Sequence, residues 1–361
     1  MVTEIFAAPQ GAAVHSWMPA SPCGVGCIDE GDRVGRVRVA ARVAGVAGLL
    51  LSFPVVNGLT PASRREPLHR GYARAMLSVL GIRLSVIDNR DAPQPTLDAL
   101  APVSAIDPNA DLAPDRNAAH PGAGAESSRA AKRTRYAEPG KGALIIAGHV
   151  SWSDVLVLAA VQPLGFVARA DMLEWPLLGK LAVRMRVIPI ERESLRKLPD
   201  VVTQLRDRLL AGDRVAAFPE GTTWCGRAYG TLRPALFQAA IDANTPVQPI
   251  RLAYRHSTGG TCTVPAFIGD DSFTTSAARV LRARGMVAEV ILEPREQPGD
   301  DRRDLARRVE RAVRGAGSST HGSWIEAGTT RVQDPDLDAA EPEVRRPRRL
   351  LPGRRKAAAT R

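Results

Sequence analysis

The chain has 361 residues, with 49 Lys and Arg against 38 Asp and Glu, a formal net charge of +11, 44% hydrophobic residues and only 4% aromatic ones. That is enough polypeptide for one large or two ordinary domains with a sizeable core. It excludes a collagen, a coiled coil and a polytopic membrane protein.

The charge is uneven. Residues 345–361 carry eight Lys or Arg and no acid, so without them the net charge falls to +3 and the rest of the chain is only mildly basic. Residues 317–361 read as a disordered basic tail that either touches an anionic surface or is simply solvated. No aromatic residue interleaves with its arginines, and no nucleic acid is expected as a partner.

In chain order, residues 1–36 show no sustained period and read as a disordered leader with no secretory signal. Cys23 and Cys27 form a C-x-x-x-C pair without a second pair of ligand-type residues at metal spacing, which argues against zinc and gives no expected metal. Together with Cys225 and Cys262 they read as reduced thiols.

Residues 37–87 read as a membrane-associating helical segment followed by a first strand. The apolar run at 43–56 is interrupted by Ser52 and Pro54 and is shorter than the roughly 20 residues a bilayer span requires. Arg33, Arg36, Arg38 and Arg42 precede it, and Arg64, Arg65, Arg70 and Arg74 follow. This suits a helix or helical hairpin lying in the interface of an anionic leaflet, a buried core helix or, third, one tilted span. Residues 83–87 (RLSVI) read as a strand. Residues 88–142, with seven prolines, read as a disordered insertion.

From residue 143 two periods alternate. Strands are predicted at 143–147, 165–168, 187–190, 214–218, 247–254 and 286–292. Helices are predicted at 152–161, over a stretch ending near Val183, and at 199–211, 234–243 and 274–284. A last amphipathic helix carries Leu305, Val309 and Val313 on one side. The reading is an α/β fold: a mostly parallel sheet flanked by helices, with the core at 143–316. Ligands in such sheets sit outside the carboxyl ends of the strands.

Three of those ends carry chemistry. After the first comes Gly148-His149-Val150-Ser151-Trp152-Ser153-Asp154. His149 suits a general base held in one tautomer by Asp154, provided His149 precedes the helix and Asp154 lies in its first turn. Ser151-x-x-Asp154 equally matches a capping box, in which the carboxylate merely satisfies backbone donors. After residues 214–218 comes Pro219-Glu220-Gly221-Thr222-Thr223, a tight loop suited to a polar ligand, or a simple turn. After 187–190 comes Glu191-Arg192, where an arginine can grip a phosphate or form a surface ion pair.

These four blocks, GHVSWSD, VIPIER, FPEGTT and VQPI at 247–250, resemble in order and spacing those of the glycerolipid acyltransferases, the PlsC-type 1-acyl-sn-glycerol-3-phosphate acyltransferase-like family. The resemblance covers about residues 143–294. It implies that His149 deprotonates an acceptor hydroxyl and that Asp154 fixes and balances the imidazole. It also implies that Arg192, Glu220, Gly221 and Thr222 shape the acceptor site, that Pro249 belongs to the acyl-donor side, and that the arginine-flanked segment docks on a membrane.

The implied activity is transfer of an acyl chain from acyl-CoA or acyl carrier protein, as co-substrate and without a further cofactor, to a lysophospholipid acceptor. That acceptor is expected to be 1-acyl-sn-glycerol-3-phosphate, with a different headgroup such as lyso-ornithine lipid as the alternative. The implied place is the cytoplasmic face of the cell membrane, peripheral or monotopic. From another class, a non-catalytic basic membrane-binding protein fits the tail. The sequence departs from the family at Gly148, where Asn is frequent, at Thr223-Trp224 in place of Arg-Ser, and at Ala235-Leu236-Phe237, where many members carry Phe-Lys.

Overall fold

The computed structural model describes residues 18–91, 134–171, 186–192 and 194–315. The helix expected to end near Val183, most of the insertion and the basic tail fall outside them. Among the described residues seven strands form one sheet. They are β1 (Ile82–Asp88), β2 (Ala143–Ala147), β3 (Gly165–Arg169), β4 (Ile188–Ile190), β5 (Arg214–Ala217), β6 (Val247–His256) and β7 (Met286–Leu292). Their order is β1-β7-β6-β2-β5-β3-β4. Every neighbouring pair is parallel except β6 and β7. The strand bounds lie within two residues of the sequence reading. The carboxyl ends of β2 to β6 therefore share one edge, where a ligand site in a mostly parallel sheet belongs.

The helices are α1 (Arg36–Leu59), α2 (Arg65–Leu80), α3 (Asp154–Val161), α4 (Leu198–Leu210), α5 (Phe237–Asp242), α6 (Phe273–Arg282) and α7 (Arg302–Arg314). All five residues of β2 are buried, which makes it a central strand covered on both faces. Alternation sends Ala143, Ile145 and Ala147 into a layer with Leu77 of α2 and Leu158 of α3. Leu144 and Ile146 join the opposite layer with Leu205 of α4, Phe237 of α5 and the stripe Leu305, Val309 and Val313 of α7. Each of the larger side chains among them contributes about 1.5–3 kcal/mol by leaving water.

Pro249 sits inside β6, where a residue without an N–H would leave the facing carbonyl unpaired. Ile250 pairs with Leu292, so the facing residue is Glu293. The carbonyl of Glu293 accepts instead from the side-chain amide Nε2 of the fully buried Gln248, at 2.6 Å. The VQPI block thus repairs its own proline.

The arginine-flanked segment forms a helical hairpin. α1 runs through Ser52 and Pro54 for 24 residues, because the flanking Arg36, Arg38 and Arg42 are helical too. At 1.5 Å per residue it is about 36 Å long. It is the one helix among the described residues long and apolar enough to cross a membrane. None of its residues is buried, which rules out the core-helix alternative. Leu51 and Leu59 are 77% and 81% exposed.

Polar bonds hold the hairpin to the body. Arg42 Nη1 donates to the carbonyls of Leu281 and Ala283, at 2.9 and 2.7 Å, at the end of α6 where helix carbonyls lack partners. Arg74 Nε donates to the carbonyl of Ala160 at the end of α3, while Tyr72 donates to Ser52 Oγ and joins the two arms of the hairpin to each other.

Two segments expected to be unstructured are built into this body in part. In the leader, Asp29 N donates to Thr263 Oγ1 at 2.7 Å, Val34 N to the carbonyl of Arg282 at 2.8 Å, and Cys23 is buried. Burial opposes ionisation of Asp29, yet hydrogen bonds from Arg227 and Thr263 hold its carboxyl below the usual range. The far flank of the insertion is anchored by Tyr136, fully buried, which takes Gln162 Oε1 on its backbone N–H and donates its hydroxyl to the carbonyl of Leu158. Arg90 Nη1 reaches the carbonyl of Arg135 at 3.0 Å, so the two flanks of the insertion meet.

Candidate active site

His149 lies two residues beyond β2, before α3, and Asp154 is the first residue of that helix. Five residues of continuous helix would part the two side chains; the turn between them brings His149 Nδ1 to 2.9 Å from Asp154 Oδ2. The same oxygen accepts from the backbone N–H groups of Val150 at 2.8 Å and Ser151 at 2.9 Å. The base-partner reading and the capping reading therefore describe one carboxylate. The helix cap itself falls on Ser153 rather than Ser151, and Ser153 makes no side-chain capping bond. Asp154 is fully buried; its other oxygen accepts from Tyr254 Oη at 2.7 Å.

Because an ionised carboxylate can only accept, Nδ1 carries the proton and Nε2 presents a lone pair. The ring is 18% exposed and stacks on Phe218, centroids 4.1 Å apart and planes 11° off parallel. The backbone of His149 is held by the loop after β5: its N–H donates to Glu220 Oε2 at 2.9 Å, and its carbonyl accepts from Trp224 N at 2.8 Å.

Glu220 thus faces the histidine loop, and burial pushes its carboxyl above the usual range, opposed by Arg314 and by the His149 N–H. Arg314, at the end of α7, donates to Glu220 Oε1 at 2.6 Å and lies 4.1 Å over the ring of Tyr229. This accounts for Gly148: a Cβ there would meet Arg314 Nη1 at 3.1 Å and Glu220 Oε1 at 3.7 Å. Gly221 takes a φ of +79°, and a Cβ there would lie 2.5 Å from Pro19 Cγ, so the leader packs on this turn. Thr222 is half-buried on the same loop.

The structure brings His149, Asp154, Glu220, Gly221 and Thr222 into one neighbourhood. Arg192 follows β4 on the same edge of the sheet, but β5 and β3 stand between β4 and β2. Pro249 is buried within β6 beside Ile146 of β2, inside the sheet rather than beyond its edge. The sequence reading missed Tyr254, Arg314 and Phe218. Phe218 is the first residue of the quoted FPEGTT block but was given no role; the other two are contributed by distant elements with no local signal.

An imidazole with one nitrogen tied to a buried carboxylate and the other without a bond among the described residues, on the carboxyl edge of an α/β sheet, is equipped to take a proton from a hydroxyl. A family model described as acyltransferase matches residues 128–253. The lyso-ornithine lipid O-acyltransferase of Pseudomonas aeruginosa is 38% identical over 172 residues, 47% of this chain and 66% of that protein. The enzyme of the same name from Brucella abortus is 34% identical over 185 residues, 47% and 69% of the two chains. The 1-acyl-sn-glycerol-3-phosphate acyltransferase of Neisseria gonorrhoeae is 30% identical over 175 residues, 48% and 68%. The chain thus spans about two thirds of the length of the relatives it matches. It belongs to the acyltransferase family.

Proposed function

We propose that this protein transfers a fatty acyl chain from a thioester, acyl-CoA or acyl carrier protein, to the free hydroxyl of a lysolipid at a membrane surface. The observation that carries the reading is the His149 Nδ1 to Asp154 Oδ2 bond at 2.9 Å, on a ring that remains partly exposed. In this reading His149 Nε2 takes the proton of the acceptor hydroxyl as its oxygen attacks the thioester carbonyl. The tetrahedral intermediate collapses with cleavage of the carbon–sulfur bond, and the departing thiolate takes the proton from the imidazolium. Asp154 stabilises the imidazolium and holds the tautomer.

Glu220 serves as a positioning residue that fixes the His149 backbone. Arg192, Gly221 and Thr222 border the acceptor, and Pro249 lies on the donor side. The exposed face of α1, with arginines before it, supports docking on the anionic cytoplasmic leaflet.

For the acceptor, 1-acyl-sn-glycerol-3-phosphate is the first reading. Lyso-ornithine lipid is the second, favoured by the higher identity to the two enzymes of that name. The test is transfer of a labelled acyl chain from acyl-CoA to a panel of lysolipids, with His149→Ala as control. Labelled product with one acceptor, absent in the variant, is the expected result. Lysolipid-independent release of CoA at the same rate would overturn the transferase reading in favour of hydrolysis.

A further inference from the structure

The C-x-x-x-C pair lacks a partner along the chain but gains one in the fold. The sulfurs of Cys23, Cys27 and Cys225 all lie within 4.8 Å of one another. Cys23 and Cys225 are buried, with their thiols hydrogen-bonded to each other, and Cys27 is half-buried. We propose that these three cysteines bind one zinc ion, which pins the N-terminal segment to the loop carrying Glu220.

The chemistry of the donor set supports it. Zinc binds thiolate sulfur at about 2.3 Å, which sets the sulfurs of a tetrahedral site about 3.8 Å apart. Closing from the present spacing takes a shift of about an ångström. The two halves are held in place independently of any ion. Cys27 ends the short 3-10 turn Val25–Cys27, with its N–H on the carbonyl of Gly24 at 2.9 Å. Cys225 follows Trp224, whose N–H is bonded to the carbonyl of His149. The half-buried Cys27 gives an ion its path in, and with three protein ligands a water completes the tetrahedron. Each thiol releases its proton to solvent on binding.

The consequence is positional. Pro19 already packs on Gly221, four residues ahead of Cys225, so an ion at the three sulfurs fixes the leader against the loop that holds the histidine backbone. The ion takes no part in acyl transfer. Cys262, whose N–H is bonded to the carbonyl of Tyr254, stands outside the cluster and serves as an internal control.

The test uses the full chain, purified with reductant, stripped by chelator and titrated first with Co²⁺ and then with Zn²⁺. One equivalent of cobalt with an intense sulfur-to-metal charge-transfer band, displaced by zinc, is expected. Cys27→Ser should weaken binding by at least the roughly 10–100-fold that loss of an outer-sphere partner costs. Cys262→Ser should leave it unchanged. Zinc should also protect residues 18–35 from limited proteolysis in the wild type but not in Cys27→Ser. Absence of the band, or binding that survives Cys27→Ser, overturns the site. So does a Cys23–Cys225 disulfide in protein purified without reductant, if no cobalt band appears after reduction. Cys225→Ser should abolish binding; should it fail to fold, Cys27→Ser decides alone, since its side chain is half-buried.

Discussion

At the carboxyl ends of β2 and β5, polar atoms are bonded to other elements of the body: Asp154 accepts from four donors and Glu220 from two. On α1 the reverse holds: no residue is buried, and large apolar side chains such as Leu51 face outward, with the helix tied to the body by Arg42 and by contacts to α2. In the first region a low dielectric makes each hydrogen bond worth more and each missing partner costly. In the second, side-chain identity on the outward face is nearly free as far as folding is concerned. Substitutions at the sheet edge should therefore register in stability and rate together, and substitutions on the outward face of α1 in neither, unless a lipid surface is present.

Four variants test that contrast, from the largest expected effect downward. Asp154→Asn keeps volume and one acceptor but removes the charge that balances an imidazolium; kcat should fall about 10²–10⁴-fold, some 3–5 kcal/mol in the barrier. Turnover near the wild-type value in a folded Asp154→Asn protein would reduce the carboxylate to a loop pin.

Arg314→Ala leaves the buried Glu220 carboxylate without its cation and should cost about 3–5 kcal/mol in chemical denaturation. Adding Glu220→Gln should recover part of that loss. A variant as stable as the parent would mean that the pair contributes nothing.

Tyr254→Phe removes the donor to Asp154 Oδ1 from a buried site, for about 1–3 kcal/mol. Because Tyr254 acts on the imidazole only through Asp154, its effect on activity should appear in kcat with KM unchanged. A change in KM alone would place the hydroxyl elsewhere in the mechanism.

Smallest in solution is Leu51→Glu with Leu59→Glu, each within about 0.5 kcal/mol of neutral by denaturation. Flotation with anionic vesicles should nonetheless drop sharply. Undiminished flotation would move the docking surface away from α1.

The alternation of strand and helix was legible because each element carries its own period: ALIIA is a buried strand by composition, and Leu305, Val309 and Val313 mark a stripe. The pairing of His149 with Asp154 was legible because both sit within one strand-to-helix turn. Polarity between β6 and β7 was not, since a strand, helix and strand in series can return either way. The leader's order was hidden because its partners, Thr263 and Arg282, lie more than two hundred residues away. Arg314 and Tyr254 likewise act across the fold, and Gly148, which reads as a departure from the family, becomes intelligible only once the guanidinium beside it is seen.

The hydrogen bond from Arg90 to the carbonyl of Arg135 joins two residues 45 positions apart in the chain. Tyr136 and Asn89 are each fastened to the core by their own bonds, Tyr136 N to Gln162 Oε1 and Asn89 N to the carbonyl of Leu292. That makes this junction a natural seam: new termini, a short graft or a reporter domain can be spliced there with little entropic penalty, and two separately expressed halves have a ready-made place to rejoin.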